Sequence, residues 1–308
     1  MKAEHLPVMP EETVAGWLAR SDGYYVDGTF GRGGHSELLL KKLGAGGHLL
    51  AIDRDPLAIE AALRLQQQYP QIDIEHGAFA DLASLVSQHD QRGKVSGILL
   101  DLGMSSPQLD DASRGFSFMG DGPLDMRMDP TRGQSAAQWL AVAEADPIAK
   151  VLREYGEEKF AWRIAQAIVE KREQQPIETT KQLVDIIEGA VPAKHQGKHK
   201  ATRSFQAIRI HVNGELEQLA GFLDGCIDLL ESGGRLAIIS FHSLEDRLIK
   251  RYMRNLARGD DLPSSLPIRD TELNKKLRIV ERAQRASDDE IAINPRARSA
   301  ILRVAEKI

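Results

Sequence analysis

The chain has 308 residues, of which 42% are hydrophobic and 28% charged, ordinary proportions for a globular protein with room for a full core. A net charge of -5 argues against bulk polyanion binding and leaves room only for a local basic patch. With Cys226 as the one cysteine an intrachain disulfide is excluded, which fits a reducing cytoplasm; with no apolar run of about eighteen residues and no N-terminal h-region, neither a membrane span nor secretion is expected.

Strand-like runs at Tyr24–Asp27, His48–Asp53, Ile72–Glu75 and Ile98–Asp101 alternate with helical stretches at Gly34–Leu43, Leu57–Gln68 and Phe79–His89. Alternating β and α predicts a parallel sheet covered by helices, an α/β fold. Each strand ends in a polar residue, and ligands of such sheets bind beyond the carboxyl ends of the strands.

The first strand runs directly into Asp27-Gly28-Thr29-Phe30-Gly31-Arg32-Gly33-Gly34-His35, and the second ends in Asp53. Strand, glycine turn, helix, strand, acid is the plan of a nucleotide-binding βαβ unit, in which the second acid accepts ribose hydroxyls. From Gly31 the spacing gives Gly33 and then Ser36, so the third glycine of a dinucleotide fingerprint is missing; no phosphate-cradling loop is present either. An acid before a G-x-G turn suits S-adenosylmethionine better, since its amino-acid moiety carries an ammonium group that Asp27 is placed to receive.

Leu102 to Arg132 is loop-like, and a loop of that length in a compact domain is usually functional. It opens with Asp101-Leu102-Gly103-Met104-Ser105-Ser106-Pro107-Gln108, where amine methyltransferases often carry an [N/D/S]-P-P-[Y/F] loop. Asp101, Ser105 or Ser106 is a candidate acceptor for the hydrogens of a target amine, with Pro107 stiffening the turn. The aromatic is absent, and Phe116, Phe118 or Phe241 is the candidate substitute. Helices without strands follow at Ser135–Ala143, Pro147–Tyr155, Glu158–Gln174 and Thr180–Ala190, predicting a helical insertion over 112–203 between the two parts of an α/β domain, 1–111 and 204–308.

From Lys194 to His211 there are five Lys or Arg residues, three histidines and no acid, a charge run that is either a solvated face or a nucleic-acid contact. His195 and His199 are four apart, but no acid or cysteine accompanies them, so no metal is expected. Ser204–Leu230 reads as one helix carrying Cys226 as a small core residue, followed by a strand at Arg235–Ser240. After it, His242 is either a substrate contact or a structural residue, and Ser243 is the expected cap of a helix over Leu244–Ala257, with Asp246 in its first turn. Strand candidates at Lys276–Ala283 and Ser299–Ala305 predict a final hairpin, joined by Gln284–Arg298.

Several ordered segments together resemble a known family: Asp27–Ser36, Ala51–Pro56, Leu99–Gly103 with Ser105–Asp110, Arg114–Phe118, Gly122–Asp129, Ile239–Arg247 and Asn294–Ser299. The chain is similar, from about His5 to Ala305, to the bacterial small-subunit (16S) ribosomal RNA cytosine-N4 methyltransferases of the RsmH or MraW type. The resemblance implies a Rossmann-like S-adenosylmethionine-dependent methyltransferase sheet with an inserted all-helical domain. It implies N4 methylation of a cytidine in the decoding region, on an assembled small subunit.

The resemblance sets Gly33, Gly34 and His35 against the methionine part of the cofactor, Asp53 on the ribose, Phe79 at the adenine, and Asp101 and Gln108 near the reacting centre. On this reading Lys198, Lys200, Arg203, Arg296 and Arg298 are candidates for the RNA backbone, with His242 a candidate substrate contact. The alternatives are an amine methyltransferase for another substrate and a non-catalytic nucleotide-binding assembly factor. Oligomeric state, a homodimer included, and the role of 259–292 stay open.

Overall fold

The structure is a computed structural model describing residues 6–192, 199–260 and 273–308. The chain divides into two compact units, one of residues 1–103 with 217–308 and one of residues 104–216.

The first unit is built on an eight-stranded sheet: β1 (Tyr24–Asp27), β2 (His48–Asp53), β3 (Ile72–His76), β4 (Val95–Asp101), β5 (Leu230–Ser240), β6 (Leu277–Ile279), β7 (Gln284–Arg285) and β8 (Ile301–Lys307). Its order is β3-β2-β1-β4-β5-β8-β6, with β7 also on β8. The first five strands are parallel, and β8 runs antiparallel to β5 and β6. Alternation explains why these residues form a two-faced sheet. Val26, Leu50, Ile52, Ile98, Leu100, Leu236 and Ile238 fill one core, while their neighbours Tyr25, Leu49, Ala51, Leu99, Ala237 and Ile239 fill another. Successive strand side chains point to opposite faces, so near-continuous apolar runs require cover on both. That cover comes from α1 (Pro10–Trp17), α2 (Gly34–Leu40), α3 (Pro56–Gln66) and α4 (Leu82–Gln88). The expected helix over Phe79–His89 begins as a 3₁₀ turn at Phe79–Asp81.

The second unit is helical: α5 (Ser106–Asp110), α6 (Ala136–Val142), α7 (Ala145–Gly156), α8 (Ala161–Gln174), α9 (Thr180–Ala190) and α10 (Thr202–Asn213). The stretch Leu102–Arg132, read as loop from sequence, contains α5 and a 3₁₀ turn at Ala112–Arg114. Its remainder is fastened rather than free. Asn213 donates to Met126 O at 2.7 Å and accepts from Met128 N at 2.9 Å, while Phe116, Leu124 and Met126 join the unit's core.

Helix α10 belongs to this unit, beyond the boundary expected at 203. Phe205, Ala207 and Ile208 lie in the same core as Leu152 and Ile164, and a Cβ on Gly156 would sit 2.6 Å from Arg203 O, so α7 and α10 touch backbone to backbone. The single helix expected over Ser204–Leu230 is broken, because Gly214 takes a left-handed φ of 58° as the C-cap of α10. A new helix, α11 (Glu215–Gly225), follows.

The C-terminal part of the first unit holds α12 (Ser243–Arg258) and α13 (Asp288–Ile293). The latter occupies the expected link 284–298, and its start is capped by Ser287, which accepts from Glu290 N at 3.2 Å. Cys226 is fully buried, and burial pushes its thiol up to about 12. Among the described residues no helix is long and apolar enough to cross a membrane.

Candidate active site

The carboxyl edge of the first unit's sheet gathers most of the residues singled out in the sequence. Leaving β1, the chain turns through Gly31 and Gly33, both at positive φ (55° and 78°), where a side chain is strained. A Cβ on Gly33 would lie 2.5 Å from the Phe30 ring. Two carboxylates brace the turn. Asp27, buried, accepts from Thr29 N at 3.1 Å and from the Ser36 hydroxyl at 2.6 Å. Asp53, at the tip of β2, accepts from Gly31 N at 2.7 Å and Asp55 N at 2.9 Å. Each carboxylate oxygen retains further lone pairs for a ligand's donors. Gly34 abuts the Pro7 ring, and Phe79 packs edge-on to Phe222, with its Cβ 3.3 Å from where a Cβ on Gly28 would stand.

At the tip of β4, the Asp101 amide donates to the Thr29 hydroxyl at 2.6 Å. The buried His35 ring places Nε2 2.8 Å from Val8 O. A carbonyl only accepts, so in the neutral ring Nε2 carries the hydrogen and Nδ1 turns a lone pair toward Asp101 Oδ2, 3.6 Å away. Burial lowers the His35 pKa, which keeps the ring neutral. Asp101 Oδ1 is buried with no hydrogen-bond partner among the described residues. Burial, reinforced by the Glu245 charge, raises the Asp101 carboxyl to about 7. Burial likewise raises Asp27 to about 6 against the opposing hydrogen bonds of Ser36 and Thr29, and it raises Asp53 too. Three carboxylates held above their ordinary range at one sheet edge form a site short of positive charge.

Beyond β5, the cap of α12 falls one residue earlier than expected. His242, not Ser243, is the N-cap. Its Nδ1 accepts from Glu245 N at 3.4 Å, and Glu245 Oε2 reaches back to Phe241 N at 2.9 Å. The expected partner Asp246 instead holds Arg303 through two contacts, at 2.7 and 3.2 Å. His242 Nε2 lies 3.1 Å from Glu245 Oε1 but off hydrogen-bond geometry. Glu245, almost fully buried, is the site residue that sequence reasoning missed. The signal for it was an H-x-x-E capping box in place of the S-x-x-D one.

The remaining sequence candidates are distributed as follows. Ser105 and Gln108 stand in the helical unit and form the capping box of α5, with Gln108 Oε1 accepting from Ser105 N at 2.9 Å. Pro107 occupies its first turn, and the Ser106 side chain lies outside the described residues, as does Lys198. Lys200 donates to Val191 O at 3.0 Å and Glu188 O at 3.3 Å, and Arg203 donates to Glu157 O at 3.3 Å. Both cations therefore sit on carbonyls at the ends of α9 and α7, where the helix dipole favours them. Arg296 and Arg298 lie on the 3₁₀ turn Pro295–Ser299 of the first unit, with Arg298 exposed.

The sequence matches the model of the MraW methylase family over residues 2–308. The chain belongs to the MraW methylase family. Weaker likenesses to solved structures accompany the match. A putative rRNA methylase from Clostridium thermocellum is 11% identical, over 97% of this chain and 94% of that one, with a TM-score of 0.44. An rRNA methylase from Streptococcus thermophilus is 10% identical, over 97% and 93%, at 0.42. A fibrillarin from Aeropyrum pernix solved with S-adenosyl-L-methionine is 10% identical, over 96% and 73%, at 0.38. Membership makes the chain an S-adenosylmethionine-dependent methyltransferase acting on ribosomal RNA. The sheet edge fits that cofactor on its own terms. A sulfonium and an ammonium supply the positive charge that the raised carboxylates lack, and the positive-φ glycines let backbone approach a ligand closely.

Proposed function

We propose that the chain transfers a methyl group from S-adenosylmethionine to the exocyclic N4 amine of a cytidine in the decoding region of small-subunit ribosomal RNA, within an assembled subunit. The observation that carries the reading is Asp101: a part-exposed strand-end carboxylate whose Oδ1 has no hydrogen-bond partner among the described residues, its other oxygen facing a neutral imidazole. The cofactor supplies an electrophilic methyl group on a sulfonium, already activated, so the protein's task is alignment and proton handling.

The lone pair of a cytosine amine is delocalised into the ring. The part-exposed Asp101 carboxylate accepts one amine hydrogen and so directs the pair out of conjugation. As the N–C bond forms, the methyl–sulfur bond would break and leave a neutral thioether, and the excess proton of the nitrogen passes to Asp101, whose carboxyl, near 7 before the cofactor binds, suits a base working at neutral pH. Gly33, Gly34 and His35 take the methionine end of the cofactor, with Asp27 near its ammonium, Asp53 on the ribose, Phe79 at the adenine and Gln108 near the reacting centre. Ser105, Ser106 and Pro107 shape the acceptor loop, and the helical unit, 104–216 where 112–203 was expected, is the inserted substrate-recognition domain. Lys198, Arg296 and Arg298 serve the RNA backbone and His242 the target nucleotide, whereas the candidates Lys200 and Arg203, held by the carbonyls that end α9 and α7, serve the helical unit instead. The target base is splayed out of its stack to reach the amine.

The test is transfer of labelled methyl to small ribosomal subunits from cells lacking this chain, followed by digestion of the RNA to nucleosides. Label in an N4-methylcytidine derivative is the expected outcome. Label in another nucleoside refutes the assignment, and cofactor binding without transfer to free RNA or subunits favours a binding role.

A further inference from the structure

Helix α12 starts at the carboxyl edge of the sheet, capped by His242 and Glu245, and runs away from it. After Asp246 it carries Arg247, Lys250, Arg251, Arg254 and Arg258 and no acid, in a chain whose net charge is -5. At about 100° per residue these five positions fall within an arc of about 100°, and all five are exposed. The opposite face is committed to the core. Ile249 and Met253 are buried, Leu248, Tyr252 and Leu256 pack against the same cluster, and Asp246 is tied to Arg303 on β8. Lys250, Arg251 and Arg254 make no ion pair or side-chain hydrogen bond with the described residues.

A helix dipole draws cations to the last turn only, which accounts for Arg258 but not for Lys250, Arg251 and Arg254. The basic run of α10 contrasts with this helix: there Arg203 is held by Glu157 O and Arg209 by Glu215 at 2.8 Å. A basic amphipathic helix that binds a membrane must insert its apolar face, and here that face is buried in the protein.

We propose that the exposed face of α12 is a track for the phosphate backbone of the RNA substrate, leading to the sheet edge that holds Asp101. This rests on the reading of the chain as an RNA methyltransferase and adds the surface that holds the strand. From Arg247 to Arg258 the face is about 16 Å long, enough for a few consecutive phosphates. Each phosphate contact contributes about 0.7–0.9 to the slope of log affinity against log salt.

The test is binding of the wild type and of two triple variants to small-subunit RNA across a salt series, with S-adenosylmethionine affinity measured alongside. Lys250→Gln/Arg251→Gln/Arg254→Gln removes the charge, and Lys250→Arg/Arg251→Lys/Arg254→Lys keeps it. The first is expected to flatten the slope by about 2–3 and to weaken RNA binding by about tenfold to a hundredfold near 0.1 M salt, with cofactor affinity unchanged. The second is expected to keep the wild-type slope. A wild-type slope in the neutralised protein overturns the proposal, as does a loss of RNA affinity that the charge-keeping variant shares. Binding of the wild type to anionic vesicles, lost on neutralisation while RNA binding persists, overturns it in favour of a lipid surface. Failure of the wild type to bind RNA at any salt overturns the underlying RNA reading instead, and is seen without any variant.

Discussion

Replacing Asp101 by Asn is expected to stabilise the protein while disabling it. An aspartate ordinarily ionises near 4, and in the fold Asp101 is raised to about 7, first by burial and then by Glu245. The folded protein therefore holds a proton between those values that the unfolded chain releases, so stability falls as pH rises through this window and is level above it. At about 1.4 kcal/mol per pH unit the ceiling is about 4 kcal/mol. The side chain is 26% exposed, and solvent there reduces the cost to about 2 kcal/mol. Asparagine keeps the shape without the charge. The expected result is a melting temperature for the cofactor-free variant about 4 °C above wild type at pH 8, with the gap closing toward pH 4, and methyl transfer slowed about a hundredfold. Thermal unfolding at a series of pH values, paired with single-turnover methyl transfer, makes the measurement. A variant no more stable at pH 8, or one whose gain is independent of pH, refutes the electrostatic reasoning.

Other consequences are accessible to simple assays. S-adenosylmethionine is cationic at both its sulfonium and its ammonium, so its affinity should rise with pH as Asp27 (about 6) and Asp101 (about 7) ionise, by up to about tenfold per pH unit for each group; titration calorimetry in buffers of different ionisation enthalpy should show proton release near pH 6.5, and a flat profile contradicts the site. Gly33→Ala forces a side chain at φ 78° into the Phe30 ring and should cost cofactor affinity at least about tenfold, whereas Gly189→Ala, with nothing within 4 Å, should leave it unchanged. Asn213→Ala removes bonds to Met126 O, Met128 N and Arg209 O and should destabilise the helical unit by about 2–4 kcal/mol in denaturant titration; an unchanged midpoint means that the 115–132 segment is held by other contacts.

The sheet was legible because its strands are continuous apolar runs ending in acids. Val26, Leu50, Ile98 and Ile238 needed only period-two alternation to be assigned to one face. The glycine turn was equally plain, since Gly31 and Gly33 follow a strand at once. What the chain hid was long-range. Nothing local in Glu245 tells that the strand order places β5 beside β4 and so brings its charge near Asp101. The cap of α12 was misread by one residue because Ser-x-x-Asp is the commoner signal, yet it was Glu245, not Asp246, that turned back onto the amides. Helix α10 looked like the return to the sheet, but the apolar spacing of Phe205 and Ile208 serves the helical core. Helix α13 was missed although Ser287 and Glu290 stand three apart, because the helix has six residues and no strong apolar period. The basic run 194–211 drew attention by composition alone, whereas the α12 stripe emerges only when its residues are wound onto a helix.

The central claim, methylation of a cytidine N4 in small-subunit ribosomal RNA, is tested most directly by nucleoside mass spectrometry of that RNA from cells lacking the chain, restored either with the wild type or with Asp101→Asn. N4-methylated cytidine derivatives are expected to disappear on deletion, to return with the wild type and not to return with the variant. Undiminished N4 methylation in the deleted cells, or full restoration by Asp101→Asn, would contradict it.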